Sequence, residues 1–530
     1  MSLADATIME PEGDQALLDA PSPAEAGQAE EAAPASRRAL LTAGAALLAA
    51  AIAPRGAAAQ GVKRPRPGPI PVTPNIPNET PLAPLEWASD TTRLLRRITY
   101  GVTQSDLAAA RKYGFRGYLE RQLDYRNVDD SAVEAFVAAK YPLLTQTTDQ
   151  LAVAGETPVY QQLQYSTIYR AAFSNRQLYE RMVEFWSDHF NISMGKVSYL
   201  KAVDDRDVIR KNALGKFRDL LYASAKSGAM MSYLDQNQSR NTAPNQNYAR
   251  ELMELHTLGV DGGYTQTDVA ELSRVLTGWT IAGRGVFTFN PSLHDWGAKT
   301  VLGLNIPASS PTLGAAGIQE GEKVLDLLLA HPSTANYIAT KMLRWFITYD
   351  PTREQVSAVA TTYLKTGGDI KSMIRTTLNS AWVRDAPMKF KRPFHLVVSS
   401  LRAAAPTVTN VGGVNGQLTN TGQPLFYWDT PDGYPDTAEY WAGNVMTRWN
   451  YASYLNALSA GEVIVNPTPL MSGNTADSTV AAIDVQMFAG EMDGPTRTAL
   501  VAYLKGGTFS AARVRETMAL AMSANSFQWY

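Results

Sequence analysis

Apolar residues recur at helical spacing along most of the chain, and this pattern predicts a mainly α-helical protein. Between residues 171 and 190, Phe173, Leu178, Met182, Phe185 and Trp186 are spaced as on the face of a helix. The same spacing predicts further helices over 203–226, 320–349, 353–365, 369–383, 391–404, 480–504 and 510–524. Alternation typical of strands is confined to 285–289 and 300–304. We therefore expect a large multi-helix globular domain with at most a small β-hairpin.

Two capping boxes indicate where individual helices begin. Thr103 with Asp106 opens an Ala-rich helix that we expect to stop at Gly114, and Thr265 with Asp268 opens one that stops at Gly278. Two long stretches, 284–318 and 405–447, show little periodicity. Connections of this length are uncommon in compact domains and are typical of functional loops.

The first 85 residues differ from the rest. An acidic, Ala- and Pro-rich segment leads to Arg37 and Arg38, an apolar run over 39–53 and three alanines at 57–59. This order predicts a disordered region followed by a twin-arginine export signal over 1–59. The eight prolines of 60–85 predict an extended tether. We expect a single folded domain over 86–530, handled by the twin-arginine translocase and periplasmic or secreted, either soluble or anchored by an uncleaved signal.

Charge and composition narrow the chemistry. The formal net charge is −2 and the basic residues are scattered, so no nucleic-acid partner is expected. The chain has no cysteine, which removes thiol nucleophiles, iron–sulfur clusters and thiolate zinc. No H-E-x-x-H zinc pattern and no G-x-S-x-G nucleophile elbow occur in the sequence.

The densest polar segment runs from residue 245 to residue 256. On a helix of about 100° per residue, Asn247, Glu251 and Glu254 share one face, while His256 points toward the apolar side. The two glutamates are therefore the polar pair of this helix, with Asn247 and Arg250 as candidate substrate-binding residues.

The next helix carries a second pair of acids. Asp268, Glu271 and Arg274 share one face, and antiparallel packing across the turn at 259–263 would bring four carboxylates together. Such a group can carry out acid–base catalysis or hold a hard cation. The alternative is a structural ion-pair network in which Arg250 and Arg274 neutralise the carboxylates.

Two histidines are further candidates for catalysis. His189 follows a face that carries Glu180, Glu184 and Asp188, and it is either a base or ligand or a hydrogen-bonded core residue. His294 precedes Asp295 in a loop. With Lys299 as a substrate-binding candidate, it is either part of a catalytic group or part of a simple turn.

Aromatic and acidic residues alternate after residue 422. Aromatic rings beside acidic and amide groups suit sugar rings, and the alternative is a proline-stiffened loop that covers the core. The candidate substrate-binding residues here are Gln423, Tyr427, Trp428, Asp432, Tyr434 and Trp441.

A set of ordered motifs runs through the segments 93–101, 185–190, 245–259, 264–268, 276–279, 294–300, 422–426 and 433–436. Together these motifs resemble a large bacterial family, domain of unknown function 1800, over about residues 87–530. It implies an exported, mostly helical protein with no established activity. Family members are often encoded beside a twin-arginine protein that resembles alkaline phosphatases and sulfatases.

The chain departs from the family at two histidine positions. Many members have a second histidine where this chain has Ser187, so a metal site built on that pair would be incomplete here. Phenylalanine is frequent in the family at the position of His256, in agreement with a place on the apolar side.

Three functions remain open at this stage. The first is a carboxylate-dependent enzyme, a hydrolase acting on envelope or extracellular polysaccharide. The second is a non-catalytic partner or scaffold for an exported protein resembling alkaline phosphatase. The third is an enzyme loaded with a divalent metal before export. No cofactor is assured by the sequence.

Overall fold

The computed structural model describes residues 89–314 and 316–530. The predicted export signal over 1–59 and the predicted tether over 60–85 lie outside the described residues.

The first half of the described chain is built from helices of four to twenty residues. They are α1 (Asp90–Ile98), α2 (Gln104–Leu123), α3 (Ser131–Lys140), α4 (Thr148–Ala154), α5 (Glu156–Phe173), α6 (Gln177–His189), α7 (Met194–Val197), α8 (Leu200–Asp204), α9 (Phe217–Ala225), α10 (Gly228–Tyr233), α11 (Gln246–Glu254) and α12 (Gln266–Val275). A π-helical turn, Asp205–Arg210, follows α8.

Helices also dominate the second half. They are α13 (Ala316–Ala330), α14 (Pro332–Phe346), α15 (Arg353–Thr366), α16 (Ile370–Thr377), α17 (Ser380–Asp385), α18 (Pro393–Ala404), α19 (Gly412–Asn420), α20 (Ala438–Trp441), α21 (Val445–Ala457), α22 (Ala476–Ile483), α23 (Gly494–Lys505) and α24 (Ala511–Ser523). The prediction of a mainly α-helical fold is confirmed.

The strands form three antiparallel pairs. The pairs are β1 (Trp279–Ala282) with β2 (Val286–Phe289), β3 (Lys299–Val301) with β4 (Leu304–Ile306), and β5 (Thr407–Val408) with β6 (Val463–Ile464). The two segments that alternate in the sequence therefore each contribute to a hairpin. The two-residue strands β5 and β6 are too short to leave a sequence pattern.

Both predicted capping boxes are present. Thr103 and Thr265 accept hydrogen bonds from the backbone of Asp106 and Asp268, whose carboxylates bond back. The expected stop at Gly114 is only a break: this residue has φ +68°, and helical structure resumes beyond it as far as Leu123. A glycine can interrupt a helix without ending it when apolar residues on both sides still face the core.

Two apolar cores organise the helices. The first joins α1, α2, α6 and α9–α16 around Trp186, Phe217 and Trp279, and the second joins α5, α18, α19 and α21–α24 around Tyr451 and Leu500. Tyr199 packs against both cores. The loop after α19 lies on the end of α6, and the candidate site forms around it. The single domain over 86–530 stays a prediction.

Candidate functional site

Helix α11 presents its two glutamates because its other face is apolar. Tyr248, Ala249, Leu252 and Met253 are buried in the first core. The Asn245 side chain caps the helix by accepting a hydrogen bond from the Asn247 backbone N–H at 2.8 Å. The amphipathic pattern therefore places Glu251 and Glu254 on the half-buried side, three residues apart and adjacent to one another.

Glu251 has a raised pKa. Burial raises its pKa to about 7, the negative charges of Glu254 and Asp432 act in the same direction, and Arg250 opposes them. The Tyr264 hydroxyl donates a hydrogen bond to Glu254 at 2.9 Å. Glu251 therefore exchanges a proton near neutral pH, as a general acid or base requires.

The loop that follows α19 is attached to the end of α6. Asn191 Nδ2 donates hydrogen bonds to the carbonyl oxygens of Trp428 at 2.9 Å and Thr430 at 2.7 Å. Gly433 has φ +76°, and a Cβ there would lie 2.2 Å from the carbonyl oxygen of Asp188. Only glycine fits this approach, which carries Asp432 into the neighbourhood of Glu251.

The same loop forms an aromatic surface. The ring of Trp428 lies 5.0 Å from that of Tyr434 and 6.1 Å from that of Tyr440. Trp428 Nε1 donates a hydrogen bond to Asp432 at 2.9 Å, so the indole and the carboxylate are held together. Tyr440 is 50% exposed, which leaves a ring face open to a ligand.

Helix α14 contributes two residues that the sequence analysis did not identify. The Tyr337 ring packs against Gly259, just beyond α11. Lys341 lies one turn further on, with Nζ 5.6 Å from the centroid of that ring. Burial lowers the pKa of Lys341 to about 8, against the attraction of Asp188, Asp432 and Asp436. A lysine within an amphipathic helix gives no sequence signal of such a position.

Asp188 completes the group. Its carboxylate accepts a hydrogen bond from Arg392 Nη1 at 2.7 Å. Burial raises its pKa to about 6, Arg392 opposes the rise and Glu184 adds to it. Asp188, Glu251 and Lys341 thus all titrate near neutrality: Lys341 is coupled electrostatically to Asp188 and to Asp432, and Asp432 is coupled to Glu251. We call Asp188, Glu251, Glu254, Tyr337, Lys341 and Asp432 the candidate site.

Asp268 and Glu271 lie in a different cluster. Asp268 caps α12 and accepts a hydrogen bond from the Leu302 backbone N–H at 2.7 Å. Glu271 accepts from Arg274 Nη1 at 2.7 Å and from the Thr300 backbone N–H at 2.9 Å. Both acids attach the β3–β4 hairpin to α12. The expected meeting of four carboxylates is therefore replaced by one pair in the candidate site and one pair in a structural contact.

His189 belongs to the first core. It is 1% exposed among Trp186, Phe190 and Phe217, and its Nε2 lies 3.1 Å from the carbonyl oxygen of His256. Burial, with smaller contributions from Lys341 and His256, holds its pKa well below its usual range. It is a neutral core side chain, and we leave it out of the candidate site.

His294 and Lys299 are also sealed in the interior. Both face Glu320, a residue of α13 that the sequence analysis did not connect with them: Lys299 Nζ lies 2.8 Å and His294 Nε2 3.2 Å from its carboxylate. His294 Nδ1 also donates to the Thr277 carbonyl at 2.6 Å. Because none of these side chains reaches solvent, we leave this group out of the candidate site as well.

The remaining substrate-binding candidates divide by exposure. Asn247, Tyr427 and Asp432 are exposed, and Arg250 and Trp428 are half-buried. Three others are buried and fix the loop: Gln423 accepts a hydrogen bond from the Phe394 backbone N–H, Trp441 donates to the Pro435 carbonyl, and the Tyr434 hydroxyl donates to the Pro424 carbonyl.

Comparison with known proteins supplies the family. A family model described as "Protein of unknown function (DUF1800)" matches residues 93–529. The chain belongs to this family. No curated protein and no solved structure matches it.

Two findings on this DUF1800 chain bear on the open hypotheses. Among residues 89–314 and 316–530, no group of three or more His, Asp or Glu side chains is arranged to hold a metal ion. In the same ranges no helix combines the length and apolar character needed to span a membrane.

Proposed function

We propose that the protein is an exported acid–base hydrolase that acts on an envelope or extracellular polysaccharide. The observation that carries the proposal is Glu251, a half-buried carboxyl with a pKa of about 7 beside a second carboxylate and an aromatic surface. Paired acids next to exposed rings are the arrangement that glycoside hydrolysis uses.

The chemistry needs one proton donor and one carboxylate. In its protonated form, Glu251 donates its proton to the glycosidic oxygen as the bond from that oxygen to the anomeric carbon breaks. A second carboxylate, Glu254 or Asp432, accepts a proton from the water that attacks the anomeric carbon. Trp428 and Tyr440 hold sugar faces, and the products are two shorter glycans, one with a new reducing end.

Release of reducing ends from envelope glycans is the experiment that tests this activity. Glu251→Gln keeps the shape of the side chain and removes the acid, so release falls by about 10²–10⁴-fold. Glu354→Gln, a change of an exposed glutamate in the first turn of α15, is the matched control and keeps full activity. Equal activity of Glu251→Gln and wild type would remove the proposed acid.

Export is the second element of the proposal. Arg37 and Arg38, with the apolar run after them, support delivery by the twin-arginine translocase, and the proline-rich 60–85 segment supports a tether. Replacing both arginines by lysine should leave the protein in the cytoplasmic fraction. Continued export of that variant would contradict the twin-arginine route.

A second candidate function rests on exposed apolar side chains near the same loop. Tyr427, Tyr440 and Met446 are 38%, 50% and 51% exposed. Exposed large apolar side chains are a feature that interaction surfaces use, which favours a non-catalytic partner of an exported protein resembling alkaline phosphatase. If Tyr440→Ser with Met446→Ser abolishes co-purification of such a protein while Glu251→Gln changes no activity, the partner role replaces the enzymatic one.

A further inference from the structure

A separate cavity of about 260 Å³ lies beside the C-terminal segment of the chain. Phe390, Trp449 and Trp529 line it together with the small side chains of Ala438 and Ala442. Its walls are mainly apolar, and its size suits a small molecule with one ring. None of the residues of the candidate site lines it.

One cationic side chain among these walls is incompletely paired. Arg448 is 3% exposed, and its guanidinium lies 4.3 Å from the centroid of the Phe390 ring. Nη2 donates to the Lys391 carbonyl at 2.8 Å and Nη1 to Gln528 Oε1 at 3.3 Å, while the buried Nε has no hydrogen-bond partner within residues 89–314 and 316–530. An unsatisfied buried donor on a charged group is costly unless something binds it.

No carboxylate in the described part of the chain compensates this charge. Burial lowers the pKa of Arg448 to about 9, with no opposing contribution from an acid. A second buried basic side chain near Arg448 is Lys391, whose Nζ lies 3.9 Å from the Phe527 ring centroid. Its pKa is held well below its usual range by burial and by the positive charges of Arg96 and Arg448. Glu439 also lines the cavity, but it is exposed and forms no ion pair with Arg448.

We propose that this cavity binds a small organic anion, a carboxylate attached to a flat apolar body. The carboxylate accepts a hydrogen bond from Arg448 Nε and supplies the missing negative charge, since a guanidinium pairs best with a planar oxyanion. The apolar body lies among Trp449, Trp529 and Phe390. This site is independent of the hydrolase proposal.

Phenylacetate and its neutral analogue phenylacetamide are the probes. Binding to the purified wild-type protein is followed by calorimetry and by the fluorescence of the cavity tryptophans. Phenylacetate should bind at least about tenfold more tightly than the amide, because only the acid carries a negative charge that can pair with the Arg448 guanidinium. Equal affinities, binding of neither probe, or tighter binding of inorganic phosphate would overturn the proposal.

Two variants locate the binding. Arg448→Met keeps the length of the side chain without the charge and should remove the preference for phenylacetate. Trp449→Leu should weaken both probes and serves as the second variant if Arg448→Met does not fold. Arg375→Met, at an exposed ion pair with Glu120, is the matched control and should bind like wild type. An unchanged preference for phenylacetate in Arg448→Met, or unchanged affinities for both probes in Trp449→Leu, would place the probe elsewhere and overturn the proposal. Glu251→Gln should bind normally whatever its glycan activity.

Discussion

Helices α11 and α12 are neighbours with nearly the same polar pattern, yet their acids serve different purposes. Glu251 and Glu254 of α11 lie three residues apart, as do Asp268 and Glu271 of α12. On α12, Arg274 and backbone N–H groups of the β3–β4 hairpin surround the carboxylates. On α11, Glu251 faces other negative groups. The comparison shows that the partners of an acid, and not its spacing along a helix, decide whether it can exchange a proton at neutral pH.

The largest expected difference between the two helices is in catalysis. Glu251→Gln should reduce glycan hydrolysis by about 10²–10⁴-fold, or about 3–5 kcal/mol in the barrier. Glu271→Gln should leave the rate per folded molecule unchanged, because its carboxylate holds the hairpin. Rates are normalised to the folded fraction by circular dichroism. A comparable loss of hydrolysis in both variants would contradict the proposed difference in function between the acids of α11 and α12.

The next largest effect is expected in the free energy of unfolding. It concerns the buried group next to α12 that consists of His294, Lys299 and Glu320. Lys299→Met leaves the Glu320 carboxylate without its closest cation, at a cost of about 3 kcal/mol in the free energy of unfolding. Lys196→Met, at an exposed ion pair with Asp235, should change it by less than about 0.5 kcal/mol. Denaturant titration measures both variants, and similar values would show that the interior pair is not structural.

A smaller loss is expected at the surface of α12. Arg274→Met removes the hydrogen bonds to Glu271 and Asp295, whose side chains are partly exposed. The substitution should lower the free energy of unfolding by about 1.5 kcal/mol. Raising the salt concentration should narrow the difference from wild type, since the lost interactions are screened. A salt-independent difference would indicate a packing effect of the substitution.

The smallest effect is in the pH dependence of stability, and it has opposite sign on the two helices. The pKa of Glu251 is raised from 4.5 to about 7, so its ionised form destabilises the fold progressively as pH rises through that window. Because the group is only half-buried, Glu251→Gln should be about 1 kcal/mol more stable than wild type above pH 7 and equal to it below pH 4.5.

The behaviour of α12 provides the contrast. Burial would raise the pKa of Asp268, but hydrogen bonds from Thr265 and Leu302 outweigh it and lower the pKa. Its stabilising contribution is therefore present above the usual pKa and is lost as pH falls through the lowered value. Asp268→Asn should be less stable than wild type at neutral pH, and the difference in the free energy of unfolding should shrink as pH falls. If the stability of Glu251→Gln and of Asp268→Asn, each relative to wild type, changed with pH in the same direction, the comparison of the two helices would be contradicted.

Local rules allowed much of the fold to be predicted. The capping boxes at Thr103 and Thr265 and the apolar face of α11 are encoded within a few residues, and each is present as expected. The placement of His256 on the apolar side also follows from helical periodicity. The break at Gly114, by contrast, depends on what the helix beyond it packs against.

The candidate site was only partly predictable, because it too depends on packing between distant segments. Glu251 and Glu254 could be paired by spacing, and the aromatic loop could be recognised by composition. Lys341 reaches the site through tertiary packing of α14, which leaves no local signal, whereas Asp188 could be recognised only as a member of the acidic face of α6. His294 was predicted to be catalytic and Lys299 to bind substrate, because their buried partner, Glu320, lies more than twenty residues away from each.

The protonation of Glu251 is the most direct test of the account. Carbon-detected NMR of protein labelled at the glutamate side-chain carboxyls follows each group through a pH titration, and Glu251→Gln assigns the resonance. We expect one carboxyl with a midpoint near pH 7 that is missing from the variant. If every glutamate titrates in the ordinary range around pH 4.3, Glu251 is a simple surface acid and the proposed general acid does not exist.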